Sequence, residues 1–73
     1  MRNDYLDYDL TAQRVTQQRK AKNMTQEKLA EAIDVDTRHI AYIEATQRNA
    51  LPQTLERLAI ALDTTTRFLM FGD

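Results

Sequence analysis

The 73-residue chain contains no cysteine and no long apolar run. The absence of cysteine excludes disulfides, thiol nucleophiles and cysteine-ligated zinc. A secreted domain of this size would usually need such staples, so a reducing cytoplasm is the expected location. No apolar stretch approaches the ~20 residues that span a membrane. Residues 1–5 also lack the apolar core of a signal peptide.

Helix-breaking residues are equally scarce, since the only glycine is Gly72 and the only proline is Pro52. Good helix formers are common instead, and no repeat or strand-like alternation is present. A domain of this length buries only about 60% of the surface that its unfolded chain exposes, which leaves little room for an enclosed active site. The composition therefore predicts one small all-α domain whose function lies at its surface.

The net charge is −1, from 10 basic and 11 acidic residues. This balance argues against a generic nucleic-acid binder, which is usually basic. The bases are concentrated in residues 12–23, which contain four bases and no acid, whereas residues 24–47 contain two bases and five acids. Because a charge run is usually only a solvated face, the basic stretch by itself indicates no function.

The first predicted helix covers about residues 10–22, and either Asp9 or Thr11 could cap it. Residues 1–9 before it are polar and acidic, which predicts an N-terminal arm. The folded domain is accordingly expected to span residues 10–73.

Four further helices follow from capping residues and apolar spacing. Thr25 is a good N-cap for the second helix, and Asp36 for a third that runs to about Ala45. Pro52 suits the first position of a fourth helix, and Thr65 caps a short fifth. The residues predicted to face the core are Leu10, Val15, Leu29, Ala30, Ile33, Ile40, Ile43, Leu55, Leu58, Ala59, Leu62, Phe68 and Leu69.

A very tight turn joins the second and third predicted helices, between Ile33 and Thr37. Such a turn makes two helices cross at roughly 90–120°, and the close approach needs a small residue such as Ala30. With Ile40 and Ile43 turned inward, the third helix must direct other side chains outward: Thr37, Arg38, Ala41 and Tyr42. A helix presented in this way fits a DNA major groove, which is about 12 Å wide.

These residues carry a resemblance to a known family. The order Thr25-Gln26-Glu27-Lys28-Leu29-Ala30, Ile33-Asp34-Val35, Ile40 and Ile43-Glu44 resembles the XRE-type helix-turn-helix of the phage repressors Cro and cI. The flanks are similar too: Arg19 before the motif, Arg48-Asn49 after it, the stretch 54–62 and the ending 68–73. The resemblance covers about residues 14–73. It implies a compact five-helix, lambda-repressor-like domain with the helix-turn-helix in helices 2 and 3. It also implies a small sequence-specific transcriptional regulator, a repressor, with helix 3 (about residues 37–45) in the major groove of double-stranded DNA.

The resemblance also implies roles for individual residues. The positions that would face bases are Asp36, Thr37, Arg38 and Tyr42, and the Arg38 fork suits the O6 and N7 atoms of guanine. The positions that would contact phosphates are Gln26, Lys28, Gln47, Arg48 and Asn49. Arg19 and Glu44 match positions that form a buried ion pair. The family usually has glycine where Asp34, Thr46 and Asp63 stand, and because Thr46 is β-branched, the loop after helix 3 is expected to differ.

No catalytic pair of acids and no nucleophile–base set stands at convincing spacing, so the chain is not predicted to be an enzyme. His39 is the only histidine, which makes no metal site, and no cofactor or small-molecule ligand is indicated. A homodimer is expected, in some cases formed only on DNA, through the apolar residues Leu51, Met70 and Phe71. The alternative function is a protein-interaction module on the same fold, antitoxin-like or anti-repressor, which the net charge and the acidic stretch support.

Overall fold

Five α-helices make up the part of the chain that the computed structural model describes, residues 7–46 and 50–73. They are α1 (Tyr8–Ala21), α2 (Gln26–Ala32), α3 (Thr37–Glu44), α4 (Pro52–Ala61) and α5 (Thr66–Phe71). No strand occurs in these ranges. The prediction of an all-α domain with five helices is confirmed.

Helix α1 begins at Tyr8, two residues earlier than predicted. Asp7 is the N-cap, and its carboxylate accepts hydrogen bonds from the backbone N–H groups two and three residues later, at 3.0 and 3.2 Å. The prediction that Asp9 or Thr11 caps the helix is therefore wrong. Residues 7–9 belong to the helix and its cap and not to an arm, because a carboxylate at Asp7 already satisfies the first free N–H groups. Residues 1–6, the remainder of the predicted arm, lie outside the described residues.

The buried face of α1 differs from the predicted one. Thr11, Ala12 and Val15 are buried, whereas Leu10 is exposed. Since residues 11 and 15 are one turn apart, they define the inner stripe, and residue 10 falls about 100° away from it. The Thr11 hydroxyl has no hydrogen-bond partner among the described residues.

The N-caps of the later helices agree with the sequence prediction. Thr25 accepts from the Lys28 N–H at 3.0 Å, and Thr65 accepts from the Phe68 N–H at the same distance. Pro52 occupies the first position of α4, where no N–H is needed. These caps fix where the helices begin and therefore how their side chains are directed.

Within residues 7–46 and 50–73, four non-glycine residues have the left-handed backbone conformation: Asn23 (φ 57°), Asp34 (φ 59°), Thr46 (φ 60°) and Asp63 (φ 56°). The expectation that Thr46 would force a different conformation after α3 is wrong at that residue. Its N–H donates to the Ile43 carbonyl at 3.1 Å, so closure of the helix end outweighs the steric preference of the side chain.

The core is one cluster to which all five helices contribute. Its fully buried large side chains are Val15, Leu29, Ile40, Leu55, Leu58, Leu62 and Leu69. The second and third helices pack against each other and against α1 and α4. The core therefore holds the pair α2–α3 at the surface as one rigid unit.

Candidate nucleic-acid interface

The pair α2–α3 is joined by the turn of residues 33–36. Ala30 is buried at the crossing, and its carbonyl accepts from the Val35 N–H at 3.0 Å, which closes the end of α2. Ile40 and Ile43 are buried on the inner face of α3. The two helices therefore have the geometry of a helix-turn-helix, with the opposite face of α3 turned to solvent.

That outer face carries the residues predicted to face bases. Asp36, Thr37 and Arg38 at the start of α3 are exposed, and Tyr42 is exposed one turn further on. A shallow depression runs between them, lined by Asp36, Arg38, His39 and Tyr42. The start of α3 thus presents a carboxylate, a hydroxyl and a guanidinium to solvent, and a phenol follows one turn later.

Asp36 contacts Arg38 twice. Its Oδ1 atom accepts from the Arg38 backbone N–H at 2.9 Å, which makes it the N-cap of α3. The same oxygen lies 3.7 Å from Arg38 Nε. Both side chains stay in solvent, with exposed fractions of 80% for Arg38 and 65% for Asp36.

At the other end of α3, Glu44 forms a buried ion pair with Arg19 of α1. Two hydrogen bonds join them, Nε to Oε2 at 2.8 Å and Nη2 to Oε1 at 3.0 Å. The exposed fractions are 11% for Arg19 and 6% for Glu44. Arg19 Nη1 also donates to the Met24 carbonyl at 2.9 Å, so this one guanidinium ties α1 to the start of α2 and the end of α3.

Burial alone would raise the pKa of the Glu44 carboxyl, since a charge is disfavoured away from water. Hydrogen bonds to the carboxylate outweigh that effect, first from Arg19 and then from Gln26 and Thr16, and the net pKa lies below its ordinary value. The hydrogen bond to Glu44 raises the pKa of Arg19 in turn. Both groups therefore remain charged.

The predicted phosphate contacts are placed unequally. Gln26 is the first residue of α2 and is half-buried, with its side-chain amide donating to Glu44 Oε1 at 3.2 Å. Lys28 is exposed, 3.6 Å from Glu31 on the next turn. The remaining predicted contacts, Gln47, Arg48 and Asn49, lie outside the described residues.

Most of the basic stretch on α1 is occupied within the protein. Arg14 Nη1 donates to the carbonyls of Leu69 and Met70, at 3.4 and 3.0 Å. Arg19 pairs with Glu44, and Lys22 Nζ lies 3.5 Å from Asp63. Two of the four bases in residues 12–23, Arg14 and Arg19, therefore hold α1 against its neighbours, whereas the Lys22 pair is exposed.

One exposed apolar residue was missed by the sequence analysis. Ile60 on α4 is 80% exposed and borders a groove whose other side is the end of α2, at Ala32 and Asp34. Its position was the available signal, because it stands two residues from both Leu58 and Leu62 and so falls off their stripe. Among the residues predicted to form a dimer contact, Leu51 and Phe71 are exposed, and Met70 packs partly against the core.

The comparisons with known proteins agree with this geometry. The helix-turn-helix family model matches residues 15–69, more than half of the chain. The class of protein that this family model and the similar structures define is that of DNA-binding transcriptional regulators, not of enzymes. The chain belongs to the helix-turn-helix family.

Solved structures of regulators superpose closely. The P22 c2 repressor, crystallised with a synthetic operator, has a TM-score of 0.83 and 25% identity, over 88% of this chain and 97% of that one. The restriction-modification controller protein C.AhdI from Aeromonas hydrophila has a TM-score of 0.82 and 35% identity, over 89% and 98%. SinR of Bacillus subtilis, crystallised with DNA, has a TM-score of 0.77 and 32% identity, over 81% and 95%. No curated protein matches the chain by sequence.

Two further findings concern other kinds of site. In residues 7–46 and 50–73, no helix is long and apolar enough to cross a membrane. The same part of the chain brings together no group of three or more His, Cys, Asp or Glu residues that could hold a metal ion.

Proposed function

We propose that the chain is a sequence-specific repressor that inserts α3 into the major groove of double-stranded DNA. The observation that carries this proposal is that one face of α3 is apolar and buried while the opposite face is polar and exposed. Ile40 and Ile43 are buried on one side, while Thr37, Arg38 and Tyr42 are exposed on the other. A helix that is anchored in this way and polar at its exposed end is suited to reading base edges. The likeness to the P22 c2 repressor and SinR, both crystallised with DNA, supports it.

The base contacts are assigned by chemistry. Arg38 donates to O6 and N7 of guanine, which is the commonest specific contact in the major groove. The Asp36 carboxylate, where it reaches a base, accepts from the amino group of cytosine. Thr37 contacts either type of base pair, and Tyr42 meets a thymine methyl group or a phosphate.

The phosphate contacts are assigned to the helix start and to the loop after α3. Gln26 and Lys28 both lie in the first turn of α2, beside its free backbone N–H groups, and a helix N-terminus favours an anion. Gln47, Arg48 and Asn49 are proposed to follow the backbone further along. Such contacts fix the register of the protein on the duplex without reading sequence.

A homodimer is proposed for the DNA-bound state, through Leu51, Met70 and Phe71. A two-fold dimer would place two copies of α3 about 34 Å apart, one turn of DNA, and would match a palindromic operator. Sedimentation of the protein with a palindromic duplex tests this. Two protomers per duplex are expected at saturation, and strictly one would contradict the dimer.

The test of the main proposal is selection of bound sequences from a random duplex pool, followed by titration of the selected duplex against a scrambled one. A recurring sequence with clear preference over the scramble is expected. The variant Arg38→Ala, which truncates one side chain of the outer face, should lose that preference at one base pair.

The alternative, a protein-interaction module, is favoured by Ile60 and its groove, since a large exposed apolar side chain beside a concave surface is typical of a contact with another protein. Retention on heparin or random duplex DNA at low salt discriminates between the two functions. An Ile60→Ser variant should leave that retention unchanged if the DNA-binding proposal is correct.

A further inference from the structure

We infer that Asp36 is a positioning residue that sets how Arg38 reads its base pair; the inference rests on the proposed DNA-binding function. The starting observation is that one Asp36 carboxylate oxygen accepts a hydrogen bond from the Arg38 backbone and lies at ion-pair distance from the Arg38 side chain. Asp36 Oδ1 accepts from the Arg38 backbone N–H at 2.9 Å and lies 3.7 Å from Arg38 Nε. The helix cap therefore holds the carboxylate in place, and the carboxylate in turn attracts one edge of the guanidinium.

The geometry of arginine gives this contact a consequence. A guanidinium is planar and carries five N–H donors in a fixed fork. When the Nε atom faces the Asp36 carboxylate, the two terminal nitrogens are the donors left for another acceptor. A pair of acceptors such as O6 and N7 of guanine matches two donors of that fork. Asp36 thus orders Arg38 before DNA arrives and reduces the conformational freedom that must be lost on binding.

The charge of Asp36 acts in the same direction. An arginine without such a neighbour can donate its hydrogen bonds to a phosphate, and a phosphate contact carries no sequence information. A carboxylate beside it repels phosphates and leaves base edges as the preferred acceptors. The expected effect is modest, about two- to fivefold in base preference, because exposed ion pairs contribute little.

The experiment uses Asp36→Asn, because asparagine caps a helix about as well as aspartate but carries no charge. The full chain, Asp36→Asn, Arg38→Ala and the double variant are titrated with the selected duplex and with duplexes altered at the base pair that Arg38 reads. Asp36→Asn should lower the preference at that base pair two- to fivefold. In the Arg38→Ala background the same substitution should leave the preference unchanged. Asp36→Ser, another uncharged cap, should behave like Asp36→Asn.

Asp34→Asn is the matched control. Asp34 stands two residues earlier in the same turn, and no ion pair joins it to Arg38 within the described ranges. Its left-handed backbone, φ 59°, is one that asparagine also adopts readily. Removing this charge should raise the affinity for every duplex alike without changing base preference.

Three outcomes would overturn the inference. If Asp36→Asn changes the preference equally with and without Arg38, Asp36 reads a base itself. If it raises the affinity for every duplex alike, as Asp34→Asn does, its charge only repels phosphate. If the preference does not change, the contact with Arg38 has no role in recognition. In all three cases the proposed function stands, whereas a wild-type chain that prefers no duplex would contradict both.

Discussion

Two arginine–carboxylate pairs lie at opposite ends of α3, and they differ in burial, in distance and in the number of their hydrogen bonds. Arg19 and Glu44 are joined by two hydrogen bonds of 2.8 and 3.0 Å and are nearly excluded from water. Arg38 and Asp36 are 3.7 Å apart, and both are mostly exposed. The same two chemical groups therefore form a buried contact between helices at one end of α3 and a solvent-exposed pair at the other.

The difference lies in what surrounds each pair. Glu44 accepts from α1 and α2 together, so its charge is satisfied inside the protein and serves to hold three helices in one arrangement. Arg38 has solvent around its terminal nitrogens and remains available to a ligand. The buried pair fixes the orientation of α3 relative to α1 and α2. That orientation determines where the exposed Arg38 side chain lies on the surface.

The largest effect is expected from breaking the buried pair on one side. Glu44→Ala leaves the Arg19 charge buried without its partner and should lower the free energy of unfolding by about 3–5 kcal/mol, measured by urea denaturation. Arg19→Met/Glu44→Leu, which removes both charges, should recover most of that loss. A double-mutant cycle without coupling between the two positions would contradict the pairing.

Acid should weaken the buried pair in a defined direction. The folded state lowers the pKa of Glu44, so its contribution to stability is complete above the pKa of an unfolded glutamate and is lost as the pH falls through the lower folded value. The wild-type protein should therefore lose more stability than Glu44→Gln when the pH is lowered from 7 into that range. Parallel pH profiles of the two proteins would show that Glu44 is not stabilised as a charge.

The exposed pair should show the opposite pattern, with little effect on stability and a clear effect on recognition. Arg38→Ala should cost about 1–3 kcal/mol of affinity for the selected duplex and relax preference at one base pair. Its free energy of unfolding should stay within about 0.5 kcal/mol of wild type, as for other surface changes. A large loss of stability with unchanged base preference would contradict the assignment of Arg38 to recognition.

Gln26 connects the two regions, so its loss should have a limited effect on both stability and binding. Its amide donates to Glu44 at 3.2 Å from the start of α2, where a phosphate is proposed to bind. Gln26→Ala should lower the free energy of unfolding by about 1.5 kcal/mol, since one hydrogen bond to a charged group is lost. Binding should weaken alike for selected and scrambled duplexes. A change confined to one base pair would assign Gln26 to base reading instead.

Much of the fold was predictable because short-range rules determine it. Thr25, Asp36, Pro52 and Thr65 each begin a helix where the capping and N1 preferences place them. The stripes of α2, α3 and α4 are buried as their spacing indicates. The predicted start of α1 was wrong because Asp7 and Asp9 both offer a capping carboxylate, and in the structure Asp7 accepts from the first N–H groups of the helix.

The site was less predictable, because partners that are distant in sequence decide it. Gln26 looked like a side chain free for phosphate, and its contact with Glu44 depends on the crossing of α2 and α3. The basic stretch of α1 looked like a surface charge, and Arg14 is instead held by carbonyls 55 and 56 residues away. Thr46 shows the limit of residue preferences, since the end of α3 imposes a backbone conformation that its side chain disfavours.

The proposed function also predicts how binding responds to salt. Arg14 and Arg19 are held by partners within the protein. Lys28 and Arg48 are therefore the cations proposed to contact phosphates, with the charge of Arg38 beside them in the groove. Each neutralised phosphate adds about 0.9 to the log–log salt slope, so two to three contacts per protomer give a dimer slope of roughly −4 to −5.

The most direct measurement is a titration of the wild-type protein with the selected duplex and with its scramble, from low to moderate salt. The account predicts specific binding with that shallow slope and a clear gap between the two duplexes, because base contacts along α3 supply much of the affinity. Tight binding to both duplexes with a steep slope would contradict recognition through α3. Absence of binding to any duplex at low salt would contradict DNA binding altogether.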